Sequence, residues 1–131
     1  MAKTAVFVTN QYSCDRIIYA ARIVAEETQT ELNIIEILDS EYELNPEAID
    51  YLYNLAKQVG ATMRIVFTGD KLAVMRETIA QYDCSAVVTG MPSSHKSVLY
   101  DLWKQYPQKQ FHAVDASGEL VDVASNRYAT A

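Results

Sequence analysis

The chain has little of what usually marks a specialised protein. Two cysteines, Cys14 and Cys84, stand far apart with no Cys-x-x-Cys pair and no histidine-rich neighbourhood, which excludes a disulfide scaffold and a zinc module. They read as free thiols of a reducing compartment. No His/Cys/carboxylate spacing suggests a metal. Basic residues are the scarcer sign, 11 against 17 acidic, for a net charge of −6, which argues against a general nucleic-acid or anionic-membrane binder. No apolar run approaches the roughly 20 residues that span a bilayer, and Lys3 is followed at once by a strand pattern rather than a signal peptide. Membrane insertion is therefore not expected, and the expected location is cytoplasmic. With three prolines and four glycines there is no linker or low-complexity tract.

What is present is an ordinary folded composition. Half of the 131 residues are apolar, enough for one domain with a real core. Short β-rich runs over 4–9, 32–38, 62–67, 85–89 and 110–115 alternate with helical patterns. Ser13 can cap a helix with Ile17, Ala20, Ala21 and Val24 on one face. Asn45-Pro46-Glu47 is a strong helix start, and the stripe Ile49, Leu52, Ala56 and Val59 ends at Gly60. Asp70 caps a third helix through about residue 82, and a fourth is expected over 94–105. Such alternation means βαβ units, hence a parallel sheet with helices on both faces.

The most informative run is Val87-Val88-Thr89-Gly90-Met91-Pro92-Ser93-Ser94-His95-Lys96-Ser97. An apolar strand ends at a lone glycine, and a hydroxyl-rich loop with a lysine follows. Ligands of open parallel sheets bind beyond the carboxyl ends of the strands, where helix starts offer free N–H groups. The run thus suits an anion such as the phosphates of a nucleotide. It holds no evident machinery for breaking a bond. Gly90-x4-His95-Lys96-Ser97 also resembles a P-loop, but His95 stands where the second glycine is needed, and the run follows the fourth strand instead of the first. NTP hydrolysis is not expected. Ser94 and His95 are adjacent, so they form no catalytic arrangement.

The remaining candidates each carry a plain alternative. His95 and Lys96 either contact a phosphate or simply face water. Cys14, in a first helical turn, is either a dipole-activated thiol or a small partly buried residue. Cys84 reads as structural, and His112 as a solvent-face or hydrogen-bonded residue. Tyr12, in the loop after the first strand, can stack on a base. Tyr51 and Tyr53 straddle a helix and form no single platform.

The opening Val6-Phe7-Val8-Thr9-Asn10, the Gly69-Asp70 helix start, and Ala86-Val87-Val88-Thr89-Gly90 with its Ser/Lys loop resemble the universal stress protein family. The resemblance covers about residues 4 to 115. Its nearest variant is the stress-protein-like module of potassium-transport sensor histidine kinases, whose first loop is similar to Val8-Thr9-Asn10-Gln11-Tyr12-Ser13-Cys14-Asp15-Arg16-Ile17-Ile18. It implies a Rossmann-like three-layer α/β sandwich, a five-stranded parallel sheet in order 3-2-1-4-5, and a regulatory role in stress response without catalysis. It also implies a homodimer. The implied ligand is a nucleotide (ATP, AMP or a cyclic dinucleotide) held by Asn10, Gln11, Tyr12, Ser13, the backbone near Ile37, and Gly90, Ser93, Ser94, His95 and Lys96.

Departures from the family pattern matter as much. ATP-binding members carry Gly-x2-Gly-x9-Gly-Ser/Thr after the fourth strand. Here Gly90 supplies the first glycine, Ser93 takes the second place, and Trp103-Lys104 replace the last pair. Each added side chain obstructs backbone approach to a triphosphate. The acid that usually follows the first strand is Asn10, a weaker partner for a ribose hydroxyl. The alternative function is a ligand-free dimerisation or partner-docking module that has lost ATP binding. Domain bounds are expected at 1–116, with a C-terminal extension over 117–131. There Ser117-Gly118 separates two β-prone runs and reads as a hairpin, with Gly118 at positive φ. Its second run is expected to lie antiparallel at the sheet edge or to pair with another chain; beyond it, the segment from Ala124 reads as a frayed tail.

Overall fold

The computed structural model describes residues 2–8, 14–92 and 97–123. Six strands form one sheet in the order β3-β2-β1-β4-β5-β6. They are β1 (Lys3–Val8), β2 (Glu31–Leu38), β3 (Thr62–Phe67), β4 (Cys84–Gly90), β5 (Gln110–Val114) and β6 (Leu120–Asp122). The first five run parallel, and β6 returns antiparallel along β5, pairing Ala113 with Val121. The expected strand order and added edge strand are therefore both present.

Among the described residues four α-helices cover the sheet: α1 (Asp15–Thr28), α2 (Pro46–Gln58), α3 (Lys71–Gln81) and α4 (Val98–Gln105). Local chemistry sets most of their ends. Asn45 and Asp70 accept from the backbone N–H groups of Ala48 and Ala73 at 3.0 and 3.1 Å, and Pro46 opens α2 with its fixed φ. Gly60 follows α2 at φ 71. Two helices end without glycine, on left-handed backbone at Gln29 (φ 54) after α1 and Asp83 (φ 48) after α3. The fourth helix starts later than expected. Ser97 is extended at φ −62, ψ 140 and caps Val98 onward through Leu99 N–H at 3.2 Å, so the hydroxyl sets the boundary. Residues 94–96 of the expected first turn lie outside the described residues.

Alternation along the strands splits the core into two layers. Val6, Val8, Leu32, Ile34, Ala86 and Val88 pack under α1 and α2, while Ala5, Phe7, Ile35, Ile37, Val87 and Phe111 pack with residues of α3 and α4. The hairpin after β5 is built as its composition implies. Asp115 Oδ1 accepts from the N–H of Ser117, its hydroxyl, and the N–H of Glu119, at 2.9, 2.6 and 2.9 Å, with Gly118 at φ 89. Leu120 packs on the first layer and Val123, 2% exposed, enters the second. Residues from 124 onward, where a frayed tail was expected, lie outside the described residues.

Candidate functional site at the carboxyl end of the sheet

The strand order reverses between β1 and β4. β1 leads through α1 to β2 on one side, whereas β4 leads through α4 to β5 on the other, so the chain diverges from the carboxyl ends of two neighbouring strands. Ligands of open α/β sheets bind outside the carboxyl ends of the strands at such a divergence. Val6 pairs with Val88 just below it, and Thr89 and Gly90 carry β4 to its end. The amino ends of α1 and α4 face this same end, since each follows a strand that finishes there.

Of the expected ligand-holding residues, Asn10, Gln11, Tyr12, Ser13, Ser93, Ser94, His95 and Lys96 lie outside the described residues. Ile37 is at the right end of β2, but its side chain is fully buried in the α3/α4 layer, so only its backbone is a candidate contact. Gly90 sits at the tip of β4 beside Val114. A Cβ there would meet Ile17 Cδ1 at 3.2 Å, so its smallness already serves the packing of β4 against the first turn of α1.

The first turn of α1 is tied down on two sides. Arg16 Nε donates to the Asp115 carbonyl at 3.1 Å, linking α1 to the end of β5. Tyr51 of α2 donates its hydroxyl to Asp15, and that bond, followed by burial, pushes the phenol up to about 12. Cys14 is the N-cap by position but makes no side-chain cap bond. It is 1% exposed, and burial first, then the Glu36 carboxyl, pushes the thiol up to about 12. Of the two readings of Cys14, burial wins: desolvation outweighs the helix end, and a thiol held neutral is not an activated nucleophile. Cys84 is likewise buried and pushed up to about 11, chiefly by desolvation. His112, in the middle of β5, is half-buried with Nδ1 enclosed and unpartnered.

The residue missed at the sequence level is Glu36. It is fully buried, neither of its oxygens has a hydrogen-bond partner among the described residues, and desolvation pushes its carboxyl up to about 7. Register places it between Val8 of β1 and Ile65 of β3, one residue before Ile37. Its only advance signal is an acid standing inside the apolar run Leu32-Asn33-Ile34-Ile35-Glu36-Ile37-Leu38. Among the described residues no group of three or more His, Cys, Asp or Glu side chains is arranged to hold a metal ion. No helix among them is long and apolar enough to cross a membrane. A separate groove lies at the opposite end of the sheet, lined by Arg22, Glu26, Gln29, Thr30 and Gly60 among others.

Strand order and helix layers define a doubly wound, Rossmann-like α/β domain with the universal-stress-protein arrangement of strands. Among solved structures the chain is similar to a universal stress protein from Archaeoglobus fulgidus, with a TM-score of 0.52 and 14% identity over 73% of this chain and 80% of that one. It is also similar to Dbv21, the A40926 pseudoaglycone deacetylase, with a TM-score of 0.57 and 14% identity over 97% of this chain and 66% of that one. Both likenesses are of fold. No protein-family model and no curated protein matches the chain.

Proposed function

We propose that this chain is a universal-stress-protein-like regulatory domain that binds a small phosphorylated nucleotide without transforming it. The observation that carries the reading is the β1/β4 switch point, with the amino ends of two helices at the same end of the sheet. The contacts proposed are Asn10, Gln11, Tyr12, Ser13, the backbone at Ile37, Gly90, Ser93, Ser94, His95 and Lys96. The resemblance of the first loop to the module of potassium-transport sensor kinases supports a sensing role, exercised in the cytoplasm. Absence of catalysis is part of the proposal, because Gly90-x4-His95-Lys96-Ser97 lacks the second P-loop glycine.

A thermal-shift screen over ATP, AMP and cyclic dinucleotides tests the reading, since a ligand at a hundred times its Kd stabilises by about 2.7 kcal/mol. The best nucleotide is then expected to bind Lys96→Ala more weakly by calorimetry and to release no inorganic phosphate. Unchanged affinity in that variant places the site elsewhere. Bulk at Gly90 is a poorer test than its position suggests, because the new side chain meets Ile17 before it meets any ligand.

The alternative reading, a module that dimerises or docks without ligand, has its own support. Tyr19 and Ile23 of α1 and Tyr51 of α2 are large apolar side chains 45%, 53% and 50% exposed. A homodimer through the last strand would use the outer edge of β6, since β5 is already paired on both sides. Light scattering on the full chain checks this, with a monomer at micromolar concentration counting against it. Truncation at Ala116 removes the buried Val123 and so confounds association with folding.

A further inference from the structure

Glu36 is a buried carboxyl with no partner among the described residues. It is wholly inaccessible, neither oxygen has a hydrogen-bond partner there, and no described cation acts on it. Strand alternation turns it to the layer shared with α1 and α2. To that layer α2 contributes Ile49 and Leu52, β1 contributes Val8, and β3 contributes Ile65, none of them titratable. From α1 the titratable group near Glu36 is Cys14, flanked in sequence by Asp15 and Arg16. His112, the next such group by alternation, stands on β5, separated from β2 by β1 and β4. An ionised carboxylate left in such surroundings costs far more than a neutral carboxyl, and burial without a partner is the condition under which the group keeps its proton.

We propose that Glu36 is a proton-operated latch on the seam between β2 and the first turn of α1, closed while the carboxyl is neutral and loosened when it ionises. The closed state is the one described above, with Glu36 buried beside Cys14. Ionisation leaves the carboxylate two ways to recover solvation. It draws water into the layer, or it turns toward the α1 amino end, which the Cys14 side chain does not cap. Either route separates the carboxyl end of β2 from the start of α1. The latch stands on the geometry of described residues alone, so it holds or fails without regard to nucleotide binding.

The sign of the linkage is fixed. A carboxyl whose folded value lies above its unfolded one gives stability that is full below the unfolded value and is lost as pH rises through the folded value. With values of 4.5 and about 7, the folding equilibrium is expected to fall roughly 50- to 100-fold between pH 5 and pH 8 in wild type relative to Glu36→Gln. Denaturant unfolding of both proteins across that range measures it. Amide exchange, corrected for its intrinsic pH dependence, is expected to speed up about tenfold or more over residues 14–18 and 36–38 in wild type only. Equal pH profiles in the two proteins overturn the proposal. Should Glu36→Gln fail to fold, the carboxyl carbon shift of Glu36 in wild type decides: a midpoint near neutrality supports the latch, and one in the ordinary carboxylate range overturns it.

Discussion

The two ends of the sheet treat buried polar groups in opposite ways. At the amino end several polar groups of the described residues are answered. Thr4 and Thr30 hydroxyls meet at 2.6 Å, Thr28 and Thr30 at 2.9 Å, and Thr62 donates to the Asn33 amide oxygen at 2.6 Å. Lys109 Nζ reaches the Cys84 carbonyl at 2.9 Å, while Lys3 and Arg64 stand over the Tyr82 ring at 4.7 and 5.5 Å. At the carboxyl end, Glu36 is fully buried and unanswered, and Cys14 is enclosed beside it. Unsatisfied polar groups are rare in folded proteins and weaken them, so their placement is informative. The proposed latch and the proposed ligand contacts both fall at the end where Glu36 lies.

Breaking that contrast has its largest expected effect at Glu36. Replacing it by Gln removes the group that must ionise, and at pH 8 the variant is expected to be more stable than wild type by about 3 kcal/mol, an advantage that shrinks toward pH 5. Denaturant titration at the two pH values measures it. A substitution at the amino end has the opposite sign. Thr62→Val leaves Asn33 Oδ1 without its donor inside a residue only 6% exposed, and is expected to cost about 1–2 kcal/mol with no pH dependence between 5 and 8.

Much of the fold could be read from the chain because its signals are local. Asn45 and Asp70 announce their helices by chemistry that acts within three residues, and Gly60 and Gly118 occupy positive φ as a helix end and a hairpin require. The β3 run over 62–67 needs no partner to be recognised. What could not be read is tertiary. Glu36 looks like any acid in a strand until β1, β3 and two helices close over it, and Cys14 looks like a helix-start thiol until desolvation outweighs the dipole. Gly90 resembles a phosphate-loop glycine, yet its nearest constraint is Ile17, distant in sequence. The helix after β4 begins at Val98 because Ser97 caps it, a choice among several hydroxyls that periodicity cannot make. Of the expected contacts, Ile37 and Gly90 are the two among the described residues, near the carboxyl ends of β2 and β4.

Smaller effects sharpen the comparison. Asn45→Ala removes the cap of α2 and is expected to cost about 1 kcal/mol, again without a pH slope. Asp115 gives the least and the most pH-specific effect. Hydrogen bonding from Ser117 first, then from the Glu119 backbone, holds its carboxyl below the ordinary value. Its contribution is therefore present above the ordinary carboxylate range and lost as pH falls through the lowered value, so Asp115→Ala is expected to lower stability at neutral pH and to flatten the acid limb of the profile.

The claim that the carboxyl end is the working end is tested most directly by following backbone amide resonances during titration with AMP, ATP and a cyclic dinucleotide. The account predicts that shifts cluster on Val8, Ile37 and Gly90 and fade toward Gln29 and Gly60 at the opposite groove. Perturbation centred on Gln29 and Gly60, or none with any of the three nucleotides, contradicts it.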